Sequence, residues 1–493
     1  MRIGVTAAEG LPAFTNDQMA DYLVQGFWAD YGDVSRRYNL GATGSAAKAG
    51  VLHYFMEDVS SAAQAMIASA LALYGEAFGV TFERMTRQSS RVDLSFENTG
   101  PGASTQAFMN EDGMVGLATV NVEAAWLDAL GARVGEYSFL TYIHEIGHAF
   151  GLGHAGHYDG EAHFVADTED PNFRVNSNVA LNDSWQMTIM SYLDQDMNPT
   201  IAADYAIPIT PMVADWIAFE RLYGPSRAYS GDTVWGFGTN VTTGPLARLA
   251  QMAGTNAFTL LDAGGHDRLD LSGFSQAQRV DLRPEQYSDV GGRIGNMGIA
   301  RGTVIEDFRS GAGNDVITGN DAGNRLLGGA GNDWIAGGAG VDRLEGGLGN
   351  DRLLGGDGPD RLLGGEGQDR LIGGAGGDIM SGGPGADVFQ FDPDPRPKTD
   401  RIVADGASPA FDAPGKGWGD RIDVSGLDAD LGREGDQAFV FGRAGEGGVW
   451  LEEFNGHTLV QARQVGAAEI GLRVVIEDGE ALAIQYRAAD FIL

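Results

Sequence analysis

His144-Glu145-Ile146-Gly147-His148-Ala149-Phe150-Gly151-Leu152-Gly153-His154 is a run in which one local conformation accounts for three histidines and a glutamate. The spacing predicts a helix over Tyr142–Phe150. On it His144 and His148 stand at i and i+4, on one face, at a separation that one metal ion can bridge. Glu145 stands beside them, where its carboxylate could hold a water at the metal and take its proton. Gly151 can adopt positive φ, which ends the helix and swings the chain back so that His154 becomes a third ligand. Three neutral imidazoles leave a fourth position open, as catalytic rather than structural zinc requires.

A lone histidine is more often a satisfied core or surface residue than a ligand, and a bare H-E-x-x-H arises by chance. The extended H-E-x-x-H-x-x-G-x-x-H adds two fixed positions and makes coincidence improbable. Downstream, Thr188-Ile189-Met190-Ser191-Tyr192 resembles the Met-turn of metzincins. Read alone, Met190 is a core methionine and Tyr192 a half-buried tyrosine. After the histidine run, Met190 reads as an apolar floor under zinc, and Tyr192 as a phenol offered to the metal or to the reacting oxyanion. His157 and His163 lack the helix-plus-glycine geometry and read as solvated loop residues.

Composition bounds the alternatives. The chain of 493 residues is long enough for two or three domains, and it has no cysteine, so disulfides and thiolate metal sites are excluded. Acidic residues number 68 against 33 basic, a net charge of −35. Nucleic acid is thereby an improbable partner and cations a probable one. Met1 to Val5 leads into polar sequence with no apolar signal-peptide core, and no run is long and apolar enough for a transmembrane helix.

The acids are periodic. From Ser310 to Gln390 the chain divides into nine nonapeptides, such as Gly346-Gly-Leu-Gly-Asn-Asp351-Arg-Leu353-Leu. Position six is Asp315, Asn324, Asp333, Asp342, Asp351, Asp360, Asp369, Asp378 and Asp387. Position eight is always apolar, from Ile317 to Phe389. A flexible glycine linker predicts neither regularity. A glycine turn and one inward apolar residue every nine positions describe a parallel β-roll, two repeats to a coil. Glycine carbonyls and the eight aspartates would enclose Ca²⁺, which prefers oxygen ligands. In the second unit Ala322 and Asn324 break the pattern, so calcium there should be weak or absent. Arg343, Arg352, Arg361 and Arg370 at position seven should form two outward ladders, and Leu354, Leu363 and Ile372 at position nine should also face outward.

The rest of the chain reads as mixed α/β. Helices are expected at Phe14–Trp28, capped near Thr15 or Asn16, at Ala62–Phe78 ending on Gly79, and at Thr210–Tyr223. Strands are expected at Val51–Met56, Val80–Arg84, Val92–Phe96 and Gly116–Val122. The expected organisation is a segment 1–49, with a helix and room for a short pro-segment; a catalytic domain 50–230; a β-roll domain 231–390; and, past a Pro-rich step at Asp392–Pro397, a strand-rich section 391–493.

With these motifs in place the chain resembles the serralysins, secreted bacterial zinc proteases of the metzincin clan with a C-terminal calcium-binding RTX β-roll. Segments Asp270–Arg279 and Tyr287–Gly292 resemble the start of that family's roll, and Asp490-Phe-Ile-Leu493 resembles its ending. The resemblance implies an α+β metzincin-type catalytic domain followed by an all-β parallel β-roll. It makes His144, His148 and His154 zinc ligands, Glu145 the general base, and Met190 the Met-turn residue. Tyr192 becomes a further ligand that can leave zinc to stabilise the tetrahedral intermediate. It also implies a C-terminal signal for the type I secretion apparatus, an extracellular location, protein or peptide substrates, and room for a proteinaceous inhibitor. Ala155 departs from the proline usual after the third histidine, which puts substrate fit in question but not metal binding.

The expected reaction is hydrolysis of internal peptide bonds, the substrate extended along a sheet edge near Ser104–Phe108 or Gly116–Val120. Two rival readings are a calcium-dependent surface adhesin with an inactive metzincin domain, and a zinc hydrolase of non-protein amides or esters. The intact Glu145 argues against the first.

Overall fold

Thr15 and Gln18 close a reciprocal pair of hydrogen bonds: Thr15 Oγ1 accepts from the Gln18 amide at 3.2 Å, and Gln18 Oε1 from the Thr15 amide at 2.8 Å. This capping box starts α1 (Asn16–Asp21). The single helix expected as far as Trp28 instead passes through a π turn, Tyr22–Gly26, before α2 (Phe27–Asp30). At Gly26 a Cβ would lie 2.4 Å from a carbon of the Tyr22 ring, so this turn depends on a bare glycine.

Five strands follow: β1 (Val51–Met56), β2 (Thr81–Arg84), β3 (Leu94–Glu97), β4 (Ala103–Met109) and β5 (Val115–Val122). Between β1 and β2 lies α3 (Ser61–Phe78), capped by Ser60 and closed by Gly79 at φ +62°. The sheet order is β2-β1-β3-β5-β4, parallel except for β4, which runs antiparallel to β5. Of the two sheet edges expected for a substrate, the one within β4 is therefore the edge. Gly116–Val120 is interior, because β5 is bonded on both sides.

Under this sheet, after a short unanticipated helix α4 (Ala124–Leu130), comes α5 (Tyr137–Ala149), which carries the histidine run and begins five residues earlier than expected. Its end is clamped by aromatic rings: Tyr74 of α3 stacks on Phe150 (5.6 Å, 9°) and donates from its hydroxyl to the Ile143 carbonyl at 2.7 Å. The last helix, α6 (Val213–Tyr223), starts after Pro211 rather than including it.

The computed structural model describes residues 10–158, 160–168, 170, 173–392, 398–405, 409–414, 419–427, 438–442, 444–465, 470–478 and 485–493. The Pro-rich step lies, from Pro393 to Pro397, outside them. The chain divides into two units, Met1–Gly265 with Pro284–Thr303, and His266–Arg283 with Val304–Leu493. Residues 10–49 thus belong to the α+β unit. Among the described residues no helix is long and apolar enough to cross a membrane.

The second unit is the parallel β-roll. Within the repeats each strand pairs in register with one 18 residues away: Leu344 opposite Leu362 on one sheet, Leu353 opposite Leu371 on the other. Two repeats make one coil, as the period requires. The position-eight side chains from Ile317 to Phe389 are all fully buried. The same sheets extend past the repeats on both sides, with Leu269 opposite Phe308 before them, and Met380 opposite Ile402 and Phe389 opposite Ile422 after them. Thr399–Ile402 and Arg421–Asp423 therefore continue the roll, whereas Gly448–Phe454, His457–Arg463 and Leu472–Ile476 pair antiparallel with one another. Arg343 pairs with Arg361 and Arg352 with Arg370 on separate sheets, as two ladders should. Leu363 and Ile372, expected to face outward, are buried, whereas Leu354 is half-buried.

Candidate metal centre

Helix α5 places His144 and His148 one turn apart. The chain leaves it at Gly151, whose φ is +107° and whose missing Cβ leaves room for the Arg36 carbonyl. A Cβ would lie 2.1 Å from that oxygen, so both the turn and the close approach require glycine. The returning loop is tied to the N-terminal helices: the Gly153 amide donates to the Leu23 carbonyl at 2.7 Å, and Trp28 Nε1 to the Gly151 carbonyl at 3.1 Å. His154 is thereby delivered to the other two imidazoles, and one nitrogen from each of the three lies within 4.8 Å of the others.

The hydrogen bonds fix which nitrogens face inward. His144 Nδ1 lies 2.7 Å from the Ile189 carbonyl and His148 Nδ1 2.8 Å from that of Leu152. A carbonyl only accepts, so both Nδ1 atoms carry the proton and both Nε2 atoms keep a lone pair. His144 Nε2 is buried without a partner, and the Nε2 atoms of His148 and His154 are 2.9 Å apart. Two ring nitrogens this close need a proton or a cation between them. Burial holds all three imidazoles neutral, with His144 pushed down to about 4 and His148 to about 3. His154 is also held well below the usual histidine range by burial and by its two neighbours. Neutral, converging, partly unsatisfied imidazoles are a donor set that fits zinc.

Glu145 is also buried, and burial pushes its carboxyl up to about 7 against the hydrogen bond from Thr105. Thr105 Oγ1, on edge strand β4, lies 2.7 Å from Glu145 Oε2 and 2.8 Å from the Glu145 carbonyl. Beneath the site Met190 is fully buried, and a Cβ at Gly147 would lie 3.0 Å from its Sδ. The Met-turn is held from α6: Asp215 accepts from the Ile189 and Met212 amides, both at 2.8 Å, and from the Thr188 hydroxyl, which in turn accepts from the Met190 amide. Tyr192 places its ring 4.7 Å from that of His154.

Sequence reasoning missed Thr105, Asp215 and a stacking partner of Tyr192, Tyr158. Only Asp215 left a signal, a carboxylate within the otherwise apolar stretch Val213–Phe219. His163 is half-exposed as expected, but His157 is not solvated: it is tucked against Asp30, 3.3 Å away. A cavity of about 200 Å³ opens beside His144 and Glu145, with Trp126, Leu140, Trp185, Ile189 and Met197 in its walls.

In the roll, each position-six aspartate accepts at Oδ1 from the amide of the residue one coil earlier, as Asp351 does from Asp333 at 2.8 Å. The Oδ2 atoms of Asp333, Asp342, Asp351, Asp360, Asp369 and Asp387 are buried without a partner. A Cβ on Gly346 would lie 2.3 Å from Asp351 Oδ2 and 2.5 Å from the Gly364 carbonyl, so bare glycine keeps these oxygens together. Unpartnered carboxylate oxygens grouped with carbonyls are a donor set that fits Ca²⁺. Asp378 follows the same ladder, its amide donating to Asp400 Oδ1. Asp315, expected among these ligands, differs: Ser310 Oγ donates to its Oδ2 and the Gln278 amide to its Oδ1. A serine stands where later repeats have glycine, and its hydroxyl satisfies the oxygen. Asn324 likewise bonds back to the Asn320 amide.

A family model described as "Peptidase M10 serralysin C terminal" matches residues 226–465. "Metallopeptidase AprA" of Pseudomonas marginalis is 30% identical over 342 residues, covering 66% of this chain and 69% of that protein. "Serralysin C" of Dickeya chrysanthemi is 40% identical over 185 residues, 37% of this chain and 36% of the relative. "Serralysin" of Photorhabdus luminescens is 40% identical over 195 residues, 39% and 38% respectively. The chain thus spans little more than a third of the length of these last two relatives. With two thirds of a metallopeptidase matched and the C-terminal model in place, the chain belongs to the serralysin family.

Proposed function

We propose that the chain is a secreted, zinc-dependent endopeptidase whose β-roll is folded by calcium. The observation that carries this reading is the convergence of His144, His148 and His154 on one point, with Glu145 beside them. Zinc held there supplies a Lewis acid that lowers the pKa of a water towards ~7 and polarises a carbonyl. Glu145 takes the proton of the attacking water and passes it to the leaving amine, a task suited to a carboxyl near 7. Tyr192 donates its phenol to the developing oxyanion. A substrate strand would pair with β4, which ends the sheet, and a large apolar side chain next to the scissile bond would enter the cavity at Trp126, Leu140 and Trp185.

The roll, the C-terminal ending and the family support calcium-dependent folding outside the cell after export by a type I apparatus. The test is digestion of casein by the zinc- and calcium-loaded chain and by Glu145→Ala. Wild-type cleavage that the variant loses is the expected result. Cleavage persisting in the variant, or missing from the loaded wild type, overturns the endopeptidase reading.

A further inference from the structure

We propose that Tyr158 is a positioning residue for Tyr192, resting on the endopeptidase reading above. The two phenol rings lie nearly parallel, with centroids 5.1 Å apart and an interplanar angle of 9°. Tyr192 is thus bounded by Tyr158 on its face and by His154 and His144 towards the metal point, at 4.7 and 5.7 Å between centroids. Tyr158 itself is anchored. It is 3% exposed, and its hydroxyl donates to the carboxylate of Asp183, which is fully buried.

The anchor belongs to the same frame as Tyr192. Asn198 Nδ2 donates to the Asp183 carbonyl at 2.8 Å, the Trp185 amide to the Leu193 carbonyl at 3.0 Å, and Trp185 Nε1 to the Ser191 carbonyl at 2.9 Å. The residues on either side of Tyr192 are thereby held to the segment that holds Asp183. Tyr158 comes four residues after His154, so one loop supplies both an imidazole and the plane against which the phenol rests. A phenol that must reach a developing oxyanion loses rate when its ring samples other rotamers. A fixed parallel ring removes those rotamers and leaves sliding within the stack, an arrangement aromatic quadrupoles favour when offset.

The experiment uses the full chain loaded with zinc and calcium, a quenched-fluorescence peptide, and the variants Tyr158→Phe, Tyr158→Leu, Tyr192→Phe and Tyr158→Leu/Tyr192→Phe. Tyr158→Leu should lower kcat about threefold to tenfold, the range a stacked aromatic pair supports, with KM and zinc content unchanged. Tyr158→Phe keeps the ring and should restore most of that loss. In the double variant, loss of Tyr158 should cost nothing beyond Tyr192→Phe alone, since its effect passes through the phenol.

A second readout needs no activity. In zinc-free, calcium-loaded chain labelled with 3-fluorotyrosine, the ¹⁹F resonance absent from Tyr192→Phe should move in Tyr158→Leu. Independent, multiplicative losses in the double variant, or an unmoved resonance, overturn the proposal. A wild type that cleaves no peptide overturns the endopeptidase reading, while the fluorine shift still decides whether Tyr158 sets the ring.

Discussion

Removing calcium should make the roll more stable in mild acid than at neutral pH. Burial pushes the carboxyls of Asp333, Asp360 and Asp369 up to about 7 and that of Asp387 to about 8. In the unfolded chain these groups titrate near 4. A folded pKa raised above the unfolded one gives stability that is complete below about pH 4 and lost as pH rises through 7 to 8. Each such group tilts stability by about 1.4 kcal/mol per pH unit between the two values. Four groups give a limit of roughly 5–6 kcal/mol per unit over the interval in which all four are protonated in the fold and ionised in the unfolded chain. From pH 5 to 7 the chelated roll should therefore lose stability steadily, by at most roughly 11 kcal/mol. With calcium the sign reverses, because the ion binds the ionised carboxylates. The assay is hydrogen exchange read by mass spectrometry on peptides spanning Arg343–Leu348 and Arg361–Glu366, with and without chelator, from pH 4.5 to 8 and corrected for intrinsic exchange. Protection that rises with pH in chelator, or stays flat, would refute the reasoning.

Two further outcomes follow from single contacts. Thr105→Val removes the donor that holds down the Glu145 carboxyl, a bond to a charged group worth about 1.5–3 kcal/mol. The acid limb of the kcat/KM profile should move up by roughly one to two pH units, with the rate at pH 9 least affected; an unmoved or lowered limb counts against Glu145 as the base. Gly346→Ala places a methyl 2.5 Å from the Gly364 carbonyl and 2.3 Å from Asp351 Oδ2. It should cost about 1–3 kcal/mol of roll stability in chemical denaturation and lower the calcium measured per chain by elemental analysis, and an unchanged calcium content sinks the cradle assignment.

What could be read from sequence was local or periodic. His144, His148, Gly151 and His154 lie within eleven residues, so helix geometry and one glycine sufficed. The position-eight core of the roll was legible because the same demand recurs every nine residues. Thr105 and Asp215 were not, because each acts on a segment far along the chain: Thr105 reaches Glu145 across 40 positions and Asp215 reaches Ile189 across 26. A strand threonine usually faces solvent and is uninformative by type, and Asp215 stands out only as a carboxylate among apolar neighbours, which names no partner. The partial burial of His157 and the burial of Ile372 depended on what happens to pack over them, which no short-range pattern encodes. Asp315 stands apart for a different reason. Its repeat begins with Ser310, and only the observed bond from that hydroxyl shows that the oxygen is already satisfied.

The C-terminal ending and the aspartate ladder belong to one structure, which bears on when the chain can be exported. Phe491 and Ile492 form the last strand of a roll sheet, opposite Ile422 and Asp423. Just before that partner strand, Asp420 Oδ1 accepts from the amide of Asp387, so the ladder runs to the strand on which the C-terminus docks. Asp490 is buried, with its carboxylate accepting from the Arg487 amide at 2.7 Å. On the proposed reading, the segment that a type I apparatus would read is therefore docked once the roll has formed, with Asp490 and Phe491 buried and Ile492 and Leu493 half-buried. Metal-free at neutral pH, the stacked carboxylates oppose that fold, since each must give up ionisation or repel its neighbours. On that reading calcium would remove the opposition and dock the ending in the same step. Export would then have to precede calcium binding, an order set by the fold itself.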